Sequence, residues 1–386
     1  MSRIIPKRTG ALTFFILLAV FLTGCSLGPK ALQGNRLDYN VSVQRSNNEE
    51  LLLNLVRARY AEPLFFLQVG SISSSFSYSA SVGASATFYH NHRHNVPIAD
   101  FYTPSLGAGM SEAPTITYTP LQGEKAVKQL QSEMRLDRFL ILTRIGWSIE
   151  SLMWLSVVQI GELRNFSVDI TTGEGIEPSY HKFLELAHML GEMQSRGDLE
   201  FVSLCRGETG ADCLRLQLRY LDQREAEKLE GLLGIKAERI ALPGGRFVST
   251  MELTTVRDFT PYEREKDKCT RIPVKLKSFF EMLLDLALYV EVPADEEMKR
   301  IARPFKSLPK DILSRGGLHA GLIRIKSRWD QPGDAFAAVP YRNRWFYIAD
   351  DDLRSKAYMM LVGSIYSLQS GDLPTVTPLL TLPVGR

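Results

Sequence analysis

His90, His92 and His94 alternate along the chain, so in an extended segment their imidazoles share one face, a donor set that zinc or nickel accepts. They lie in a proline-containing connection with no acidic ligand beside them, and the sequence reads them as a solvated loop. His181 and His188, seven apart on one predicted helix, read as a packed edge. Ser307-Leu308-Pro309-Lys310 has the S-x-x-K spacing of an acyl-transfer serine and its lysine, but the partner motifs S-D-N and K-T-G are absent and Pro309 would disturb the helix that places the lysine. No G-x-S-x-G, H-E-x-x-H or phosphate-cradling glycine loop occurs. Asp350-Asp351-Asp352 precedes a strong helical pattern and reads as capping. Lys266, Lys268, Arg271, Lys275 and Lys277 read as the lysine guard of a strand edge. The expectation is a protein without catalytic residues, cofactor or metal.

The cysteines carry a different chemistry. Two predicted strands, 201–204 and 214–218, flank a turn-rich loop, so Cys205 and Cys213 are expected to form a disulfide across a hairpin. Cys269 is then left over, free to pair between subunits. Such bridges belong to an oxidising compartment.

The amino terminus points to the same compartment. Arg3, Lys7 and Arg8 precede an apolar run from Ala11 to Leu22, the pattern of a secretion signal over residues 1–24. Those three side chains account for the whole net charge of +3, because the segment contains no acid. The remaining chain is neutral and shows no basic footprint for nucleic acid. Leu22-Thr23-Gly24-Cys25 resembles the lipobox of bacterial lipoproteins, which implies a mature chain beginning at an acylated Cys25. Several acyl chains make a durable anchor in the membrane. Ser26, rather than Asp, after that cysteine implies sorting to the outer membrane, with the body on its periplasmic side.

The whole sequence of 386 residues is 45% hydrophobic and 23% charged, a globular balance. It reads as an α+β fold of helices and antiparallel hairpins, divided into a tether (25–45), a helix with a long hairpin (46–135), an α/β body (136–260) and a C-terminal domain (269–386), with 261–268 as linker. Ser46 and Glu49 suggest a capping box for a helix over 47–60, ended near Pro63. Helices are expected at 123–134, across the apolar stretch 138–164, at 178–195 and at 223–233. A further helix begins at a Ser278/Glu281 capping box, and another spans 352–369. Strands are expected near 238–256, 322–327 and 376–383, with a hairpin over 335–348 that turns at Arg342-Asn343.

The most unusual segment is 64–119, whose charged residues are Arg93, Asp100 and Glu112 alone. Ile72, Phe76, Tyr78, Ala80 and Val82 fall on even positions, while Ser71, Ser73, Ser75, Ser77, Ser79 and Ser81 fall on odd ones. Leu106, Ala108, Met110 and Ile116 continue the even series against Ser105, Gly107, Gly109 and Ser111. A period of two is that of a strand with one apolar and one hydroxyl face. The two runs predict one long amphipathic β-hairpin over about 71–119, joined by a connection at 89–104.

Several segments, among them 47–57, Pro114-Thr115-Ile116-Thr117-Tyr118-Thr119-Pro120-Leu121, Gly146-Trp147-Ser148 and Tyr341–Ile348, resemble a group of Gram-negative envelope lipoproteins to which no activity is assigned. The resemblance implies an envelope location and brings no catalytic residues with it.

Two functions follow as expectations. One is an outer-membrane-anchored structural or assembly component of an envelope complex, whose partners are the lipid around Cys25 and either further copies or other envelope proteins. The other is an oligomeric pore or export conduit in which each subunit gives its hairpin to a shared barrel, with Tyr78, Phe88, Tyr89, Phe101 and Tyr102 as interfacial aromatics. The alanines between 80 and 86 offer lipid little apolar area and favour the first.

Overall fold

The computed structural model describes residues 27–87, 101–121, 124–166, 179–206, 212–255, 270–299, 301–303, 323–370 and 380–383. The fold is α+β. It divides into two compact units, one of residues 1–63 with 133–368 and one of residues 64–132 with 369–386. This grouping differs from the linear division expected. A strand from 269–386 sits inside the sheet of 136–260, and the helix before Pro63 falls in the larger unit, packed on elements of 269–386.

The larger unit begins with α1 (Leu27–Arg59). The expected tether is therefore helical from Leu27, and Ser46 and Glu49 lie mid-helix instead of capping a new one. Glu49 is held by Arg45 one turn earlier, at 2.9 Å. The helix ends where the Glu62 amide donates to the Arg57 carbonyl at 2.9 Å, with Ala61 left-handed (φ 57°) and Pro63 following. Leu51, Leu52, Leu55 and Val56 are buried, and this end of α1 packs on a small sheet and on a later helix.

Residues 138–164 form two helices, α3 (Leu136–Arg144) and α4 (Ile149–Ser156), and then turn into strands β3 (Val157–Ile160) and β4 (Leu163–Arg164). The all-helical expectation fails at Val157 because an open strand edge is there to receive it. Helix α5 (Tyr180–Ser195) leads into β5 (Leu199–Arg206) and β6 (Asp212–Tyr220). Helix α6 (Gln223–Leu233) is capped by Asp222, whose carboxylate accepts from the Glu225 amide at 2.9 Å, and ends at left-handed Gly234. Then come β7 (Ile240–Ala241), β8 (Phe247–Thr255) and β9 (Thr270–Leu276). The sheet order is β4-β3-β9-β8-β6-β5, with β7 on β8. Its pairs are antiparallel except β8 with β9, which run parallel.

Helix α7 (Phe279–Leu286) opens with the full capping box, Ser278 and Glu281 each bonding the other's backbone amide. After α8 (Ala294–Met298) a small sheet of β10 (Lys326–Arg328), β11 (Ala335–Tyr341) and β12 (Arg344–Ala349) forms in the order β10-β12-β11. Its hairpin turns at Arg342-Asn343, both left-handed (φ 49° and 61°) as a tight I′ turn requires. Arg342 is a poor residue for that conformation and is steadied from outside: its guanidinium lies 5.1 Å from the Tyr60 ring centroid and 3.4 Å from Glu62. Helix α9 (Leu353–Ser370) follows Asp352, which accepts from the Ser355 amide at 3.1 Å and from its hydroxyl at 2.8 Å.

The smaller unit contains β1 (Leu67–Thr87), β2 (Phe101–Pro120), the short helix α2 (Glu124–Gln131) and β13 (Leu380–Pro383). Its sheet has the order β1-β2-β13.

Candidate assembly surface

β1 and β2 pair antiparallel without interruption from Ser71 opposite Thr117 to Thr87 opposite Phe101. Odd positions of one strand therefore meet odd positions of the other, and the hydroxyl series stays on one face across both. Ser71, Ser73, Ser81, Ser105, Gly107 and Gly109 are exposed on it. Near the base that face closes over, for Thr117 and Thr119 are buried. The ribbon starts four residues before the expected boundary because a bulge at Gly70 shifts the register. Val69 consequently pairs with Tyr118 and joins the face of Ile72 and Ile116. At the far end Phe101–Pro104 is strand, where the connection was expected to reach 104.

Glycine and serine interlock across the ribbon. The Ser105 hydroxyl donates to the Gly83 carbonyl at 3.2 Å and the Ser81 hydroxyl to the Gly107 carbonyl at 3.5 Å. A Cβ on either glycine would stand 2.6 Å from the opposing hydroxyl oxygen, so a larger residue at either site would displace that hydroxyl and its bond.

The edges define what the ribbon can do. β13 covers β2 from Thr115 to Tyr118 only. Among the described residues, no strand pairs the outer edge of β1, nor that of β2 from Phe101 to Pro114. At about 3.3 Å per residue, β1 with its 21 residues is about 70 Å long. Glu112, opposite Phe76, is the single charged residue in either strand. An edge of this length with so little charge, and with no strand beside it among the described residues, is the form that recruits another strand.

The remaining candidates behave differently. Cys205 and Cys213 stand opposite each other on β5 and β6, with Cα atoms 4.9 Å and sulfurs 1.98 Å apart. The Glu252 carboxylate lies beside them, close enough to complete a three-ligand set. It is engaged by Arg215 at 2.6 Å and Arg271 at 3.4 Å, and two guanidiniums beside a carboxylate oppose a cation there. Burial raises the Glu252 pKa, but the two arginines together outweigh it and hold the group below its ordinary value.

Among the described residues the lysine-guarded edge is not found, and Lys266 and Lys268 lie outside them. β9 lies inside the sheet between β3 and β8, and Lys277 turns inward to Asp285 at 2.6 Å. The Lys277 ammonium also sits 5.7 Å from the Trp154 ring centroid. Burial pushes the Asp285 carboxyl above its ordinary value while Lys277 pulls it down. His188 contacts Glu150 at 3.2 Å on an exposed face of α5. Cys25, His90, His92, His94, Cys269, Ser307 and Lys310 lie outside the described residues.

Sequence reasoning missed one buried polar residue. Asn165 donates to the carbonyls of Trp154 and Val157, both at 2.7 Å, and its own oxygen accepts from the Phe166 amide at 2.7 Å. It thereby stitches the α4–β3 junction, a role that no local motif announces. The core beneath the large sheet encloses a cavity of about 30 Å³ lined by Leu136, Phe139, Met153, Met251 and other apolar side chains. With no polar partner in its walls, it suits neither water nor a polar ligand. No described helix is long and apolar enough to cross a membrane. No protein-family model matches the chain, and neither does any curated protein or solved structure.

Proposed function

We propose that this chain is an acylated outer-membrane lipoprotein that serves as an assembly component of an envelope complex, with its ribbon as the docking element. Cys25 supplies the anchor and the ribbon joins another strand edge to edge. The reading assigns no catalytic step, cofactor or nucleic-acid partner to the chain.

The observation that carries it is the ribbon itself: two long strands with Glu112 as their one charge, unpaired beyond Thr115 among the described residues. A two-stranded ribbon is marginal alone in water and gains backbone hydrogen bonds from each strand added to it. Placing a photo-crosslinking residue at Ser79 in intact cells tests the docking role. An adduct to another polypeptide is expected, and recovery of the uncrosslinked chain alone contradicts it. Loss of acyl labelling and of membrane retention in Cys25→Ala tests the anchor.

A further inference from the structure

We infer that the strand which completes the ribbon belongs to a second copy of this chain, joined head to tail: residues 105–113 on the outer edge of β2 in one copy pair with residues 75–83 on the outer edge of β1 in the next. The inference rests on the strand-addition reading above and names its partner.

Proline placement marks the joint. Pro104 and Pro114 are ten residues apart, so by strand alternation their nitrogens lie on the same edge of β2. Both sit within a strand that holds its register against β1, Pro104 opposite Ala84 and Pro114 opposite Ser74. A proline facing β1 would remove a ladder bond, so both face outward. Between them the outer edge keeps its donors over residues 105–113, a window of nine residues and about 30 Å. Among the described residues the chain's own third strand stops short of this window, β13 reaching Pro383 opposite Thr115, next to Pro114. Among those residues the edge is covered up to one proline and has no strand beside it as far as the next.

Polarity and pattern select the partner. β1 runs antiparallel to β2, so a neighbouring ribbon pointing the same way presents its β1 antiparallel to this β2. That repeats the pairing already made within the chain. Hydroxyl and apolar positions alternate with the same parity in both windows, so each face continues across the joint. Residues 75–83 carry no charge and residues 105–113 only Glu112, so no like charges meet. Because the two edges differ, the joint is heterologous. It either closes into a ring or propagates, and each copy adds two strands in antiparallel order. The competing account is that Pro104 and Pro114 blunt the edge and keep the chain monomeric.

Sizing of the full-length, detergent-extracted lipoprotein by native mass spectrometry decides between them. The wild type should be oligomeric. Ala108→Pro removes a donor from the same even-numbered edge and spares the ladder to β1, so it should be monomeric with unchanged thermal unfolding. A second measurement does not depend on that variant. Two differently tagged copies, both Cys269→Ser, carry Ser77→Cys in one and Ser111→Cys in the other, positions that face each other when 75–83 pairs antiparallel with 105–113. Oxidation should give the mixed disulfide and none between two Ser77→Cys copies.

A monomeric wild type, an Ala108→Pro protein as oligomeric as the wild type, or crosslinks confined to Ser77→Cys pairs would each overturn the inference. If the isolated protein is monomeric while the Ser79 photo-crosslink in cells captures a different chain, the second copy is rejected and strand addition stands. If Ser79 captures nothing, both fall.

Discussion

The body and the ribbon solve the problem of a buried or open polar group in opposite ways. In the body several inward charges have their counterpart inside the same unit: Lys277 meets Asp285, Glu230 meets Arg239 at 2.8 Å, and Glu252 meets two arginines. In the ribbon there is almost nothing to pair, and the groups left open are backbone amides and carbonyls along two edges. The first arrangement is finished within one chain. The second, among the described residues, leaves edges that another strand can complete, and the proposed assembly role rests on that contrast.

The largest expected effect lies in the body. Lys277→Met leaves Asp285 buried without its partner and should cost about 3–5 kcal/mol in urea unfolding. Loss of less than 1 kcal/mol would show that the pair is not buried as described. Reduction of Cys205 and Cys213 comes next: opening a loop with a sequence separation of 8 should cost about 2–3 kcal/mol on the chain-entropy model. An unreduced, denatured sample in which both thiols react would dispose of the bridge.

Acid provides a third, graded test. Arg215 and Arg271 outweigh burial to depress Glu252, and the Ser355 amide and hydroxyl do the same for Asp352. A carboxyl whose folded pKa is depressed adds stability above its unfolded pKa, near 4.5 for Glu252 and 3.8 for Asp352, and loses it as pH falls through the lower folded value. The melting temperature should thus hold down to about pH 5 and fall below it, less steeply in Glu252→Gln. The smallest shift is expected in the ribbon. Replacing residues 73–114 by a short Gly-Ser turn should leave the body's melting temperature unchanged in calorimetry. A clear drop would mean that the two regions do not differ as described.

Much of this architecture is legible in the sequence, and the reasons are local. Ser278 with Glu281, Asp222 with Gly234, and Arg342-Asn343 are short-range signals whose hydrogen bonds or dihedrals form within a few residues. The ribbon's period of two survives because nothing in it interrupts the alternation after Gly70. Long-range choices were hidden. Val157 leaves the helical pattern because β9, more than a hundred residues later, offers it an edge. Lys277 looks like a surface lysine until Asp285 is placed beneath it. Residues 27–45 lack an apolar stripe and so resemble a tether, although helix propagation from the buried turn at Leu51 needs no such stripe. Of the candidate surface, faces and parity could be read directly. The short reach of β13, which among the described residues leaves the outer edge of β2 between Pro104 and Pro114 without a strand, could not.

The most direct test of the unfinished edge is amide hydrogen exchange on the detergent-extracted full-length protein. If strand pairing completes the ribbon, amides of residues 75–83 and 105–113 should exchange as slowly as those of β6 and β8 in the body sheet, with alternate amides losing that protection in Ala108→Pro. Exchange within seconds at both windows in the wild type, with β6 and β8 still protected, would show that the ribbon stands alone and would contradict the account.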